Sequence, residues 1–153
     1  MDAYGNILHV LTLDYPHQEI HIRAKGVVET SAATATEIDT LSPLPFLRHT
    51  DLTMPDARLR TFAERFRHVP PNVGALRCLA DEIHAQMPFR PGETDVHMSA
   101  AQAFAQGSGV CQDHSHVFIA CARQLGVPAR YVSGYIYSPG HAAQHIASHA
   151  WAE

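Results

Sequence analysis

Cys111 stands in the run Gly109-Val110-Cys111-Gln112-Asp113-His114, directly after the turn-forming residues Gly107-Ser108-Gly109. Apolar residues at Val110, Val117, Phe118, Cys121 and Leu125 then recur at a spacing that makes one helical face. Ser108 or Gly109 can cap that helix, which places Cys111 in its first turn. Unpaired backbone N–H groups and the positive end of the helix dipole gather there, and both favour a thiolate over a thiol. A histidine able to take the thiol proton follows in Ser148-His149-Ala150-Trp151. These residue types in this order point to nucleophilic cysteine chemistry with Cys111 and His149 as the candidate pair.

Other residues compete for roles. His114, at i+3 from Cys111, lies on the same side of the helix and is the internal rival to His149 as base. Asp113 lies about 200° around the helix from Cys111, so it faces away and complements the helix dipole. Cys78 and Cys121 lie on apolar helical patterns and read as buried, inert thiols. Trp151 and Tyr135 either line a cleft or pack. A zinc site could draw on Cys111, His114 and His116, or on His141, His145 and His149. Against it, Ser138-Pro139-Gly140 reads as a loop, and neither Cys-x-x-Cys nor His-Glu-x-x-His is present.

The elements that must hold these residues are legible in outline. From Asn6 to Ser31 the pattern alternates as strands do, with a turn at Asp14-Tyr15-Pro16-His17. Leu59, Phe62, Ala63 and Phe66 mark a short helix. After Pro70-Pro71, Asn72 is a cap for a second, whose stripe is Leu76, Leu79, Ala80, Ile83 and Met87 and which ends at Pro88. Ser99-Ala100-Ala101-Gln102 has the form of a capping box. After the cysteine helix, Ala129 to Tyr137 and Ile146 to Glu153 read as strands.

Composition bounds the function. The 153 residues suit one domain, or one domain and part of another. With 46% hydrophobic and 17% charged residues, the chain can form a core and is not disordered by composition. A formal charge of −4 gives no electrostatic case for nucleic acid or an anionic membrane as partner. No apolar run is long enough to span a bilayer, and Met1 opens no signal-peptide pattern. Three cysteines, an odd number without framework spacing, suit a reducing compartment, so the cytoplasm is the expected location.

The order cysteine helix, strand, loop, histidine strand resembles the core of the transglutaminase-like superfamily, related in fold to papain-like cysteine proteases. The matching residues are Gly109 to Asp113, then Leu125-Gly126-Val127-Pro128-Ala129-Arg130-Tyr131-Val132-Ser133-Gly134-Tyr135, then His149-Ala150-Trp151. Upstream, Gly5-Asn6, Tyr15-Pro16-His17 and Leu44-Pro45-Phe46-Leu47 resemble the β-rich region that precedes the core in bacterial members. The resemblance implies an α+β fold, with residues 1–54 part of that β-rich region and residues 55–153 the core. It implies a Cys-His-Asp site for amide bonds in which Cys111 and His149 fill the first two roles, and no cofactor. The acyl-enzyme would pass to water, as in a protease or amidase, or to an amine; the substrate is a protein, a peptide or a small amide. The Cys111 backbone N–H is the first oxyanion donor, and Gln112 and Gln106 are the nearby candidates for a second. The family's Asp lies on a strand after the histidine, whereas this sequence ends four residues past His149. The expectation is therefore a fragment truncated before the third catalytic residue, from a longer enzyme or from an inactive binding module that keeps the fold.

Overall fold

Three helices of the core begin where a side chain replaces the missing backbone acceptor of the first turn. Asp56 Oδ1 accepts from the Leu59 N–H at 2.7 Å and Asn72 Oδ1 from the Ala75 N–H at 2.8 Å. Ser99 and Gln102 form the expected reciprocal box: the Gln102 N–H donates to Ser99 Oγ and the Ser99 N–H to Gln102 Oε1. The structure is a computed structural model that describes residues 6–23, 25–27, 29, 42–68, 70–136 and 148–153. Its helices are α1 (Ala57–Glu64), α2 (Val73–Gln86), α3 (Ala100–Gln106) and α4 (Cys111–Gln124), and its strands β1 (Tyr131–Tyr135) and β2 (Ser148–Ala152). Two 3-10 turns, Leu44–Leu47 and Asp51–Thr53, precede α1. The helix and strand content makes the protein α+β, as the sequence implies.

Contacts divide the chain into two units, Met1–Ser42 and Pro43–Glu153. Among the described residues of the first there is no strand, which departs from the alternation read between Asn6 and Ser31. Ile7, Val10 and Ile22 are exposed there. A period-2 pattern becomes a strand only when a neighbouring chain takes up its backbone N–H and C=O groups, and no such pairing is found among these residues.

The second unit is built around α4. None of the 14 residues of this helix is exposed, because α1, α2 and α3 pack on it together with β2. The core cluster takes Leu59 and Phe62 from α1, Leu79 and Ile83 from α2, Phe104 from α3, and Val117 and Cys121 from α4. The Phe62 and Phe104 rings meet at a centroid distance of 4.8 Å. The single apolar face expected of α4 is thus too narrow a reading: Asp113, Ser115, His116, Ile119 and Ala122 are buried as well. The stripe on α2 is narrower than expected. Leu79, Ile83 and Met87 are buried, but Ala80 is exposed. Cys78 is exposed too, contrary to expectation, since it lies one residue and about 100° from the Leu79 face.

β1 and β2 pair antiparallel, with Tyr131 opposite Ala152 and Gly134 opposite His149. Arg130 and Glu153 extend the ladder by two backbone hydrogen bonds, and their side chains form an ion pair at 2.9 Å. Arg123, near the end of α4, ties the sheet to the helix: its Nε and Nη2 donate to the Ala129 carbonyl, and its Nη1 to the Arg48 carbonyl. These bonds fix where β1 begins, and through the register they fix the height of His149.

Burial also makes stability depend on pH. His116 packs its ring 5.1 Å from that of Tyr131, and desolvation pushes its pKa below the ordinary 6.5. A hydrogen bond to the Met98 carbonyl and the charge of Asp113 oppose that shift in part. The unfolded chain therefore binds this proton more readily than the folded one. The stabilisation is complete above about pH 6.5 and is lost as pH falls below that value. His49 is shifted the same way, again chiefly by desolvation. The melting temperature is expected to fall between about pH 7 and pH 5. His116→Gln, which keeps a donor for Met98, should flatten that dependence without abolishing it, as thermal scans across pH will show.

Candidate active site

The helix carrying Cys111 is started by neither Ser108 nor Gly109. The Ser108 hydroxyl donates instead to Glu93 Oε2 at 2.7 Å, holding that carboxylate below its usual range. The N-cap is Val110, which offers no side-chain acceptor to the first turn. The closing contact comes from inside the helix, where Asp113 Oδ2 accepts from the Val110 N–H at 2.8 Å. The same oxygen accepts from the Thr94 hydroxyl at 2.8 Å, and Asp113 is fully buried. The acidic residue thus occupies the dipole-complementing position expected for it. The Cys111 N–H remains uncapped by any side chain at the positive end of a 14-residue helix.

Gly109 is required for a steric reason, since a Cβ there would lie 2.6 Å from Asp113 Cβ and 2.8 Å from Asp113 Oδ2. Gly109 also pairs with the extended segment after α2: its N–H donates to the Pro88 carbonyl and its carbonyl accepts from the Arg90 N–H. His114 adds a third tie. Its Nδ1 lies 2.8 Å from the Val110 carbonyl oxygen and its Nε2 2.6 Å from that of Met87. Both ring nitrogens of the rival base are thereby turned to backbone carbonyls. The Ser115 hydroxyl donates back to the Cys111 carbonyl at 2.7 Å.

Cys111 and His149 line the same cavity, of about 430 Å³. His149 stands on β2 opposite Gly134, and its ring stacks on Trp151 at a centroid distance of 6.1 Å. Gly134 makes room for that indole: a Cβ there would lie 2.7 Å from Trp151 Cη2. Trp151 lines the cavity and donates from Nε1 to Glu153 Oε1 at 3.2 Å. Tyr135, the other residue considered for a cleft, is 74% exposed and lies outside the cavity wall.

The remaining candidates separate. Cys111 is half-buried, whereas Cys121 is buried in the core and its thiol is pushed up to about 12. The side chains considered as second oxyanion donors are occupied: Gln112 donates to the Asp95 carbonyl, and Gln106 to Ser108 and the Glu93 carbonyl. Among the described residues no three His, Cys, Asp or Glu side chains gather as a metal site, and His141 and His145 lie outside those residues. Sequence reasoning missed Ala80, Ile83, His84, Phe89 and Phe118 as parts of the cavity. Tyr131 is not part of that wall; its phenol is pushed up by burial and, secondarily, by the charges of Cys111 and Asp113.

Residues 60–153 match the transglutaminase-like superfamily profile, and the chain belongs to that superfamily. An uncharacterised protein of Mycobacterium leprae is 30% identical over 168 aligned positions, covering 99% of this chain and 60% of that protein. A Mycobacterium tuberculosis relative, also uncharacterised, is 31% identical over 174 positions, covering 99% of this chain and 55% of its own length. The chain therefore spans little more than half the length of these relatives. The crystal structure of a candidate cysteine protease from Cytophaga hutchinsonii is similar, with a TM-score of 0.62 and 26% identity over 79% of this chain and 40% of that one.

The packing at the head of α4 is directly testable. Gly109→Ala must displace either Asp113 or the turn, a strain of about 1–3 kcal/mol, and should slow alkylation of Cys111. Urea unfolding and site-resolved labelling of the same variant will show both effects.

Proposed function

We propose that the protein attacks amide or peptide carbonyls through Cys111, with His149 as general base. The observation that carries this reading is the shared cavity wall: a cysteine at an uncapped helix start faces the same space as a histidine on the adjoining strand. His149 takes the Sγ proton as sulfur bonds to the carbonyl carbon, and the Cys111 N–H stabilises the oxyanion. The tetrahedral adduct collapses, the C–N bond breaks, and the amine leaves with the proton from His149. A thioester remains on Cys111. Water then attacks it with His149 again accepting a proton, which returns the free thiol and a carboxylic acid. An amine in place of water gives a new amide, so the same residues serve hydrolysis and acyl transfer. Substrates are proteins, peptides or small amides, and the odd, unpaired cysteines favour the cytoplasm as the place of work.

The test is turnover of amide and thioester substrates with acyl-enzyme trapping by mass spectrometry. A mass addition confined to Cys111 is expected. Cys111→Ala should abolish it, and His149→Ala should lower kcat/KM about 10²–10⁴-fold. An added amine that diverts product from acid to amide identifies acyl transfer. A folded protein that forms no adduct with any acyl donor would overturn the enzyme reading in favour of a binding module.

A further inference from the structure

The cavity beside Cys111 is built mainly of carbon. Ile83 comes from α2, Phe89 from the segment paired with Gly109, Phe118 from α4, and Trp151 and Ala152 from β2. Its volume, about 430 Å³, falls within the range of small-molecule sites. Among the described residues that line it there is no Asp, Glu, Lys or Arg, and its titratable side chains besides Cys111 are His84, His114 and His149. Two of the polar groups on the wall are turned to backbone: the His114 nitrogens lie against the Val110 and Met87 carbonyls, and the Ser115 hydroxyl donates to the Cys111 carbonyl. Yet Phe89 is 58% exposed and Trp151 36% exposed, so apolar surface stands open to water beside the nucleophile.

Resting on the assignment of Cys111 as nucleophile, we infer that this cavity is the subsite for an uncharged, apolar substrate side chain, large aliphatic or aromatic, beside the scissile carbonyl. A methylene or ring entering it removes apolar surface from water on both partners. An ammonium entering it would lose hydration and meet no carboxylate, and a carboxylate would exchange its hydration for a wall whose titratable side chains besides Cys111 are His84, His114 and His149. The subsite therefore selects by apolar volume and disfavours charged groups relative to apolar ones.

Small thiol-alkylating probes test this on the whole chain without a known substrate. The site-resolved rate at Cys111, divided by that at exposed Cys78 in the same molecule, is compared for iodoacetamide, its N-phenethyl derivative and an N-carboxyethyl derivative. The phenethyl probe should gain about tenfold or more over iodoacetamide in this ratio, with saturation, and the carboxylate probe should lose. Ala80 is an exposed position on α2 that reaches the cavity. Ala80→Asp should lower the phenethyl-to-iodoacetamide ratio at Cys111 about tenfold, an amount set by one unfavourable group in an apolar pocket. Equal ratios for the phenethyl and carboxylate probes, or a phenethyl advantage that survives Ala80→Asp, would overturn the subsite while leaving the nucleophile in place. If iodoacetamide itself shows no preference for Cys111, the nucleophile assignment falls and the subsite falls with it.

Discussion

The head of α4 depends on one buried carboxylate. Asp113 accepts the Val110 N–H and the Thr94 hydroxyl on a single oxygen, and Gly109 leaves space for it where any Cβ would collide. A carboxylate is removed from water only at considerable cost unless hydrogen bonds replace its hydration. The two donors offset part of that cost and fix the turn preceding Cys111. Because Asp113 closes the turn from within the helix, no side chain upstream caps it, and the Cys111 N–H stays free of a side-chain cap at the positive end of the helix.

The rest of the second unit holds that turn against its partner strand. α4 is enclosed by the three other helices and by β2, so its axis has little freedom. Its start is fastened to the end of α2 by Gly109 and His114, and its end to the origin of β1 by Arg123. The antiparallel register then carries β1 across to β2 and sets His149 opposite Gly134. The cavity lies where these fixed pieces meet, walled by apolar side chains from α2, α4 and β2. The packing that fixes the head of α4 leaves a mainly apolar recess beside Cys111.

Much of this was legible in the sequence. Capping chemistry located α2 and α3 because Asn72 and the Ser99–Gln102 pair act through short-range hydrogen bonds that need no tertiary context. Cys111 and His149 stood out as candidates by residue type and order, and the structure puts both on one cavity wall. What escaped was tertiary. Ser108 looks like a cap until Glu93 claims its hydroxyl, and Cys78 looks buried until the face centred on Leu79 proves narrow. Gly109 reads as a turn residue, yet its reason is the side chain of Asp113. Nothing local marks Phe89 or Ala80 as cavity residues, since each joins Cys111 only through packing between elements. The strand pattern between Asn6 and Ser31 shows the converse: alternation states a preference, and pairing must supply the rest.

The measurement that bears most directly on this account is the rate of iodoacetamide labelling at Cys78, Cys111 and Cys121 between about pH 6 and pH 9, a window that spans ordinary histidine and thiol titration. The same series is run on His149→Ala. At neutral pH, Cys111 should outpace exposed Cys78 despite being half-buried, Cys121 should stay silent in the core, and the substitution should remove the lead of Cys111. Cys111 reacting no faster than Cys78, with a profile that His149→Ala leaves unchanged, would contradict the account at its centre.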